Sequence, residues 1–234
     1  MSDSKQSLFL LAGGRSALRR RGPDVLLVGA LASAGLTRPR VAYLGVASGD
    51  NAAFRAIIGG MLKKAGAAEV VLAPLCGKRG NPEKARDVLG GCDLVFVSGG
   101  DVEQGMGVLH QTRMTRYLRA LYDAGKPFVG VSAGSIMLAQ SWVRWQDPND
   151  DASAQTFPCL GFAPLLCDTH GESEGWQELQ ALLRLSPNGT LGYGIASGTA
   201  LVVDPAGRIS ALGGEVHRFR RRSSGVVQAE SLQP

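Results

Sequence analysis

Gly130-Val131-Ser132-Ala133-Gly134 has the G-x-S-x-G spacing of a nucleophile elbow. The chemistry it suits is acyl transfer: a serine hydroxyl stands clear of a sheet, at a helix start whose free N–H groups and dipole favour a developing oxyanion. The spacing has a steric reason. A strand that turns directly into a helix forces the serine into a strained backbone conformation, and the residues two before and two after it must lack bulk. The context agrees: a short apolar run, Phe128-Val129-Gly130-Val131, precedes Ser132, and a helix-friendly segment, residues 135–140, follows. A plainer account makes Ser132 only a helix cap.

A serine nucleophile needs a base, and histidine is the usual one. The chain has three. His110 falls inside a predicted helix, and His217 stands beside Arg218 near the C-terminal end. His170 ends an apolar, strand-like run, and the C-terminal ends of strands line the ligand crevice of a parallel sheet. His170 is therefore the preferred base, with His217 the alternative. An oxyanion needs two donors. One is the N–H of Ala133; the other is that of Gly99 or Gly100, where a missing side chain lets the backbone approach a substrate.

A sheet must position these groups, and the sequence supplies one. Strands are expected at residues 7–12, 40–46, 69–72, 92–97 and 126–131, separated by helices after the Gly22-Pro23 break and over 51–65, 82–89 and 102–124. The helix at 51–65 carries Phe54, Ile57, Ile58, Met61 and Leu62 on one face. Such alternation with nearly continuous apolar strands implies an α/β fold, a mostly parallel sheet with helices on both faces. Beyond the elbow, residues 142–157 read as a polar excursion with Asp147, Asp150 and Asp151. Residues 174–185 read as a helix with Trp176, Leu179, Leu182 and Leu183 inward, 191–195 as a strand, and 199–212 as a C-terminal β-hairpin. Residues 1–222 make one domain, and 223–234 a mobile tail.

Composition narrows the function. The 234 residues, 44% hydrophobic and 19% charged, suit a globular chain with a full core. The net charge of +5 gathers in Arg15, Arg19, Arg20 and Arg21 and in Arg218, Arg220, Arg221 and Arg222, without interleaved aromatics, so no nucleic-acid partner is expected. Cys76, Cys92, Cys159 and Cys167 show no C-x-x-C pairing and read as reduced residues. No signal peptide is visible, and no apolar run approaches the ~20 residues of a membrane helix, so a cytoplasmic protein without a membrane partner is expected. Cys167-x-x-His170 lacks a second ligand pair, so neither metal nor other cofactor is expected.

Together the motifs resemble the peptidase E and cyanophycinase family of serine peptidases. The elbow with Ser135 resembles the family's G-x-S-A-G-A/S, and Ser98-Gly99-Gly100-Asp101-Val102-Glu103-Gln104 its glycine-rich segment. Asp168-Thr169-His170 resembles its D-x-H, and Gly192-Tyr193-Gly194-Ile195 followed by Thr199-Ala200-Leu201-Val202-Val203 its G-x-G-I-D-E-x-T-A-L-V-V strand. The matches keep the family's order from about residue 8 to 212. The resemblance implies a flavodoxin-like sheet of the class I glutamine amidotransferase kind. It implies Ser132 as nucleophile, His170 as base, Gly100 and Ala133 as oxyanion hole, and Gly99, Asp101 and Gln104 at the substrate. The substrate it implies is a small peptide cleaved beside aspartate, either an Asp-X dipeptide or a β-aspartyl link to arginine. A homodimer is compatible with it.

Two departures stand out. Where the family has D-E-x-T-A, this chain has Ala196-Ser197-Gly198-Thr199-Ala200, so the third catalytic member becomes Ser197. Its hydroxyl can hold the histidine tautomer but cannot stabilise imidazolium by charge. Glu172, Glu174 and Asp168 are nearby acids that could substitute. The arginines that follow the family's histidine are missing from residues 171–176, which leaves Arg144, or a partner subunit, to receive an acidic substrate side chain. Two other readings compete. One is an α/β-hydrolase esterase using Ser132, Asp204 and His217, although an H-G-G-G segment is missing. The other is a ligand-binding pseudoenzyme on the same fold.

Overall fold

The structure, a computed structural model, describes residues 6–13, 22–147 and 150–234. Strands β1 (Leu8–Leu11), β2 (Arg40–Leu44), β3 (Glu69–Leu72), β4 (Leu94–Val97) and β5 (Phe128–Val131) run parallel in the order β1-β5-β4-β2-β3. Alternate residues of a strand face opposite sides, and both sides here are apolar. Leu8, Leu10, Ala42, Leu44, Val95 and Val97 enter one core, and Phe9, Leu11, Val41, Tyr43, Leu94 and Phe96 the other.

Helices cover each face. The Phe9 side receives α1 (Val25–Ser33) through Leu26, Leu27 and Leu31, and α2 (Ala52–Lys64) through Ile58 and Leu62. The Leu8 side receives α3 (Pro82–Gly91), α4 (Val102–Gln111), α5 (Met114–Asp123) and the short α6 (Ala133–Leu138). Asp24, Asn51, Asn81 and Asp101 start α1 to α4 by accepting first-turn N–H groups, which explains where those helices begin. Ile57, placed on the inward face of its helix by the sequence reading, is 52% exposed; Ile58 and Leu62 define the buried stripe instead. The helix expected over 102–124 is broken in two, because Arg113 takes a left-handed conformation (φ 55°) and redirects Met114, Leu118 and Tyr122 into the core.

The chain then leaves the sheet. Strands β6 (Ser141–Trp145) and β7 (Ala154–Pro158) pair antiparallel where the sequence reading had only a polar excursion. Their Val143 packs with Trp176, Leu179, Leu182 and Leu183 around helix α7 (Gln177–Arg184). Strand β8 (Leu166–Thr169) lies parallel to β9 (Leu191–Ile195) in a second, smaller sheet. The hairpin of β10 (Ala200–Val203) and β11 (Ile209–Leu212) returns to the large sheet, antiparallel to β1. Strands β12 (Val216–Arg222) and β13 (Gly225–Leu232) complete the small sheet in the order β13-β12-β9-β8. Residues 225–232, expected to be mobile, are thus a paired strand that satisfies the outer edge of β12. Among the described residues no helix is long and apolar enough to cross a membrane.

Candidate active site

Ser132 joins β5 to α6 with φ 53° and ψ −126°, a conformation costly for any residue but glycine. The neighbours make room for it. A Cβ on Gly130 would stand 2.7 Å from the Gly134 carbonyl oxygen, and one on Gly134 only 2.1 Å from that of Val97. The Ser132 N–H donates to Leu11 O at 2.9 Å and the buried Ser135 hydroxyl to the same oxygen at 2.8 Å, so β1 pins the turn. Ala133 follows at the helix start, and its N–H has no acceptor among the described residues.

The C-terminal end of the adjacent β4 supplies Gly99 and Gly100. A Cβ on Gly99 would lie 3.1 Å from Ser132 Cβ, so this backbone runs directly against the serine. Gly100 has φ 142°, and a Cβ there would stand 2.0 Å from Ala47 O. Like that of Ala133, the N–H groups of Gly99 and Gly100 have no acceptor among the described residues. Unpaired amides beside a serine hydroxyl are the raw material of an oxyanion hole.

His170 comes from the other sheet. It ends β8 in a left-handed conformation (φ 46°), and its N–H donates to Ile195 O at 2.9 Å, extending the β8–β9 ladder by one residue. The turn swings the ring across the junction between the sheets, and Nε2 lies 2.8 Å from Ser132 Oγ. That is a proton-transfer distance. Two cavities border this pair. One, of about 790 Å3, has apolar walls from Leu26, Leu27, Phe54, Ile58, Met61 and Phe96. The other, of about 430 Å3, is lined by Asp101, Asp168, Glu174 and Glu178 with Trp142 and Gln177. Ser132, His170 and Gly100 border both.

The profile of peptidase family S51 matches residues 8–208. The chain belongs to peptidase family S51. Membership implies serine peptidase activity. Two solved structures share the fold. A peptidase from an acI-B1 actinobacterium superposes with a TM-score of 0.72 at 16% identity, over 99% of this chain and 98% of that one. A candidate peptidase E protein from Listeria monocytogenes EGD-e gives 0.64 at 15% identity, over 89% and 98%. No curated protein matches the chain.

The remaining residues that the S51 resemblance singles out divide sharply. Asp101 lines the smaller cavity, yet its Oδ1 caps α4 through Gln104 N–H (2.6 Å) and its own N–H donates to Ala47 O (2.8 Å). Gln104, expected at the substrate, donates through Nε2 to Val46 O at 3.2 Å and lines neither cavity, so it ties α4 to the loop after β2. Ser197 borders the larger cavity, but among the described residues no hydrogen bond joins it to His170. Arg144 pairs with Glu103 at 2.8 Å over the Phe157 ring, outside both cavities, and is not available there for a substrate carboxylate.

The esterase alternative fails on placement. Asp204 pairs with Arg208 at 2.6 Å in the β10–β11 turn, and His217 lies on β12 beside Trp176 and Glu215, whereas Ser132 meets His170. Among the described residues no group of three or more His, Cys, Asp or Glu side chains could hold a metal ion. Asp168 is 7% exposed, and its Oδ1 accepts the Thr169 N–H at 2.7 Å. Burial, reinforced by Glu178 and Glu174, pushes its carboxyl up to about 7 against the pull of two backbone N–H groups. Sequence reasoning missed two contacts here: Trp142 Nε1 donating to Glu178 Oε2 at 2.7 Å, and Ser197 N–H donating to Glu172 Oε1. Both join residues on separate elements, so no local spacing announces them.

Proposed function

We propose that this chain is a serine peptidase of short peptides that works through an acyl-enzyme. Ser132 attacks the scissile carbonyl while His170 takes its proton at Nε2, and the Gly100 and Ala133 N–H groups receive the oxyanion. The imidazolium then protonates the leaving amine, and the same imidazole activates the water that releases the acid. The observation that carries this reading is the 2.8 Å contact between Ser132 Oγ and His170 Nε2 at a strained elbow.

Dipeptides with N-terminal aspartate are the substrates that the family resemblance implies. Their free ammonium finds Asp101, Glu174 and Glu178 in the smaller cavity, and their side-chain carboxylate finds no lysine or arginine among the described lining residues of either cavity. A β-aspartyl-arginine link offers its guanidinium to the same acids. The four free cysteines suit action in the reducing cytoplasm. The test is a panel of Asp-X, Glu-X, neutral-X and β-Asp-Arg peptides on wild type, Ser132→Ala and His170→Ala, with a fluorophosphonate probe for Ser132. Turnover and labelling in the wild type, with turnover lost in both variants, are expected. Full turnover by Ser132→Ala overturns the reading; silence of the wild type in both assays favours a ligand-binding protein on the same fold.

A further inference from the structure

His170 spends Nε2 on Ser132, which leaves Nδ1 to be held by an orienting acceptor. The position where the family resemblance puts that acid holds Ser197. Residues 196–199 form a tight turn, in which the Thr199 N–H and hydroxyl both donate to Ala196 O, directly after Ile195. Ile195 O accepts the His170 N–H, so residue 197 and His170 are neighbours across the β8–β9 ladder.

A carboxylate reaches this place by another route. Glu172 follows His170 by two residues, through Gly171, and folds back so that Oε1 accepts the Ser197 N–H. Partial burial draws the Glu172 carboxyl upward, but the Ser197 N–H and the adjacent His170 outweigh it, and the group lies below its usual value. It is a fixed anion at neutral pH. The other two acids near the ring are engaged differently. Glu174 Oε1 accepts the Ser173 hydroxyl at 2.7 Å. Asp168 Oδ2 is turned to within 3.0 Å of where a Gly171 Cβ would stand, and its carboxyl is half-protonated near neutrality.

We propose that Glu172 is the positioning acid of the Ser132–His170 pair: anchored by the Ser197 N–H, its carboxylate fills the role that a side-chain carboxylate at position 197 would otherwise play. It orients the imidazole and stabilises the imidazolium formed when His170 takes the Ser132 proton. The acid has moved from the loop after β9 to the loop after β8, and residue 197 has become its anchor. This rests on the peptidase reading above. Because Glu172 is exposed, water screens its charge, and the effect is smaller than that of a buried triad acid.

The decisive variant is Glu172→Gln, which keeps an oxygen for the Ser197 N–H and removes only the charge. With the best peptide of the panel, kcat is expected to fall ~10- to 100-fold, less than the ~10⁴ of a buried triad acid, at unchanged KM. Fluorophosphonate labelling of Ser132 slows in parallel, while the unfolding temperature stays at the wild-type value. Adding Ser197→Glu to Glu172→Gln returns the charge from the other loop and restores most of kcat. A kcat within about 2-fold of wild type, a loss carried by KM alone, or a double variant no faster than Glu172→Gln overturns the proposal. Those results leave the peptidase reading standing so long as Ser132→Ala is inactive; turnover by Ser132→Ala removes both.

Discussion

Ser132 and His170, the proposed nucleophile and base, are held in opposite ways. Ser132 is placed by exclusion: Gly130, Gly134 and Gly99 each sit where a Cβ would strike backbone or the serine itself, and β1 ties down the turn through Leu11 O. His170 is placed by retention: one ladder hydrogen bond fixes its backbone, and a run of exposed residues, 172–175, carries what surrounds the ring. The contrast teaches that one side of the site tolerates no added atoms, while the other can change its chemistry residue by residue. Ser197, where the family resemblance puts an acid, lies on the permissive side.

The largest effect should come from the crowded side. Gly134→Ala puts a methyl 2.1 Å from Val97 O, with no side chain able to yield, and should cost at least ~3 kcal/mol in urea unfolding. A variant of near-wild-type stability would break the comparison. Asp168 is a buried acid on the permissive side. The folded state holds its proton up to about pH 7, far above the ordinary ~3.9, so the associated stability is fully present below about pH 4 and is lost as pH rises through 7. The integrated difference is on the order of 4 kcal/mol. Asp168→Asn should therefore melt above wild type at pH 8, by less at pH 5, and converge with it only below about pH 4; parallel melting curves would show that the carboxyl is not strained. The smallest effect is expected for Ser197→Ala, which leaves the backbone N–H that holds Glu172. Turnover should stay within about 3-fold of wild type, and a larger fall in kcat would move the orienting role back to the hydroxyl.

Much of this was legible in the chain. The parallel strands could be read because each is a short apolar run buried on both faces, and the elbow because Gly130 and Gly134 leave a steric signature. The fold's departures follow from interactions that no window contains. Arg113 breaks a helix in a left-handed turn without glycine or proline to mark it. Residues 142–157 look polar because Val143 is the one fully buried side chain of β6, its neighbours being half-buried. The strand at 225–232 exists because β12 offers it an edge. In the site, the contact between Ser132 and His170 was readable from motif order, while the bonds of Glu172 to Ser197 and of Gln104 to Val46 are tertiary contacts that no local spacing announces.

The grip of Ala47 on Gly100 and Asp101 carries a practical lesson for anyone redesigning this scaffold. Ala47 is 2% exposed and borders neither cavity beside Ser132, yet its carbonyl dictates the path of the chain that carries Gly100, a proposed oxyanion donor. Under the proposed function, randomising residues 45–49 would cost turnover while leaving the residues that line both cavities unchanged. New specificities are better sought by diversifying Leu26, Phe54 and Met61, where the shape of the larger cavity can vary while the proposed oxyanion amides stay put.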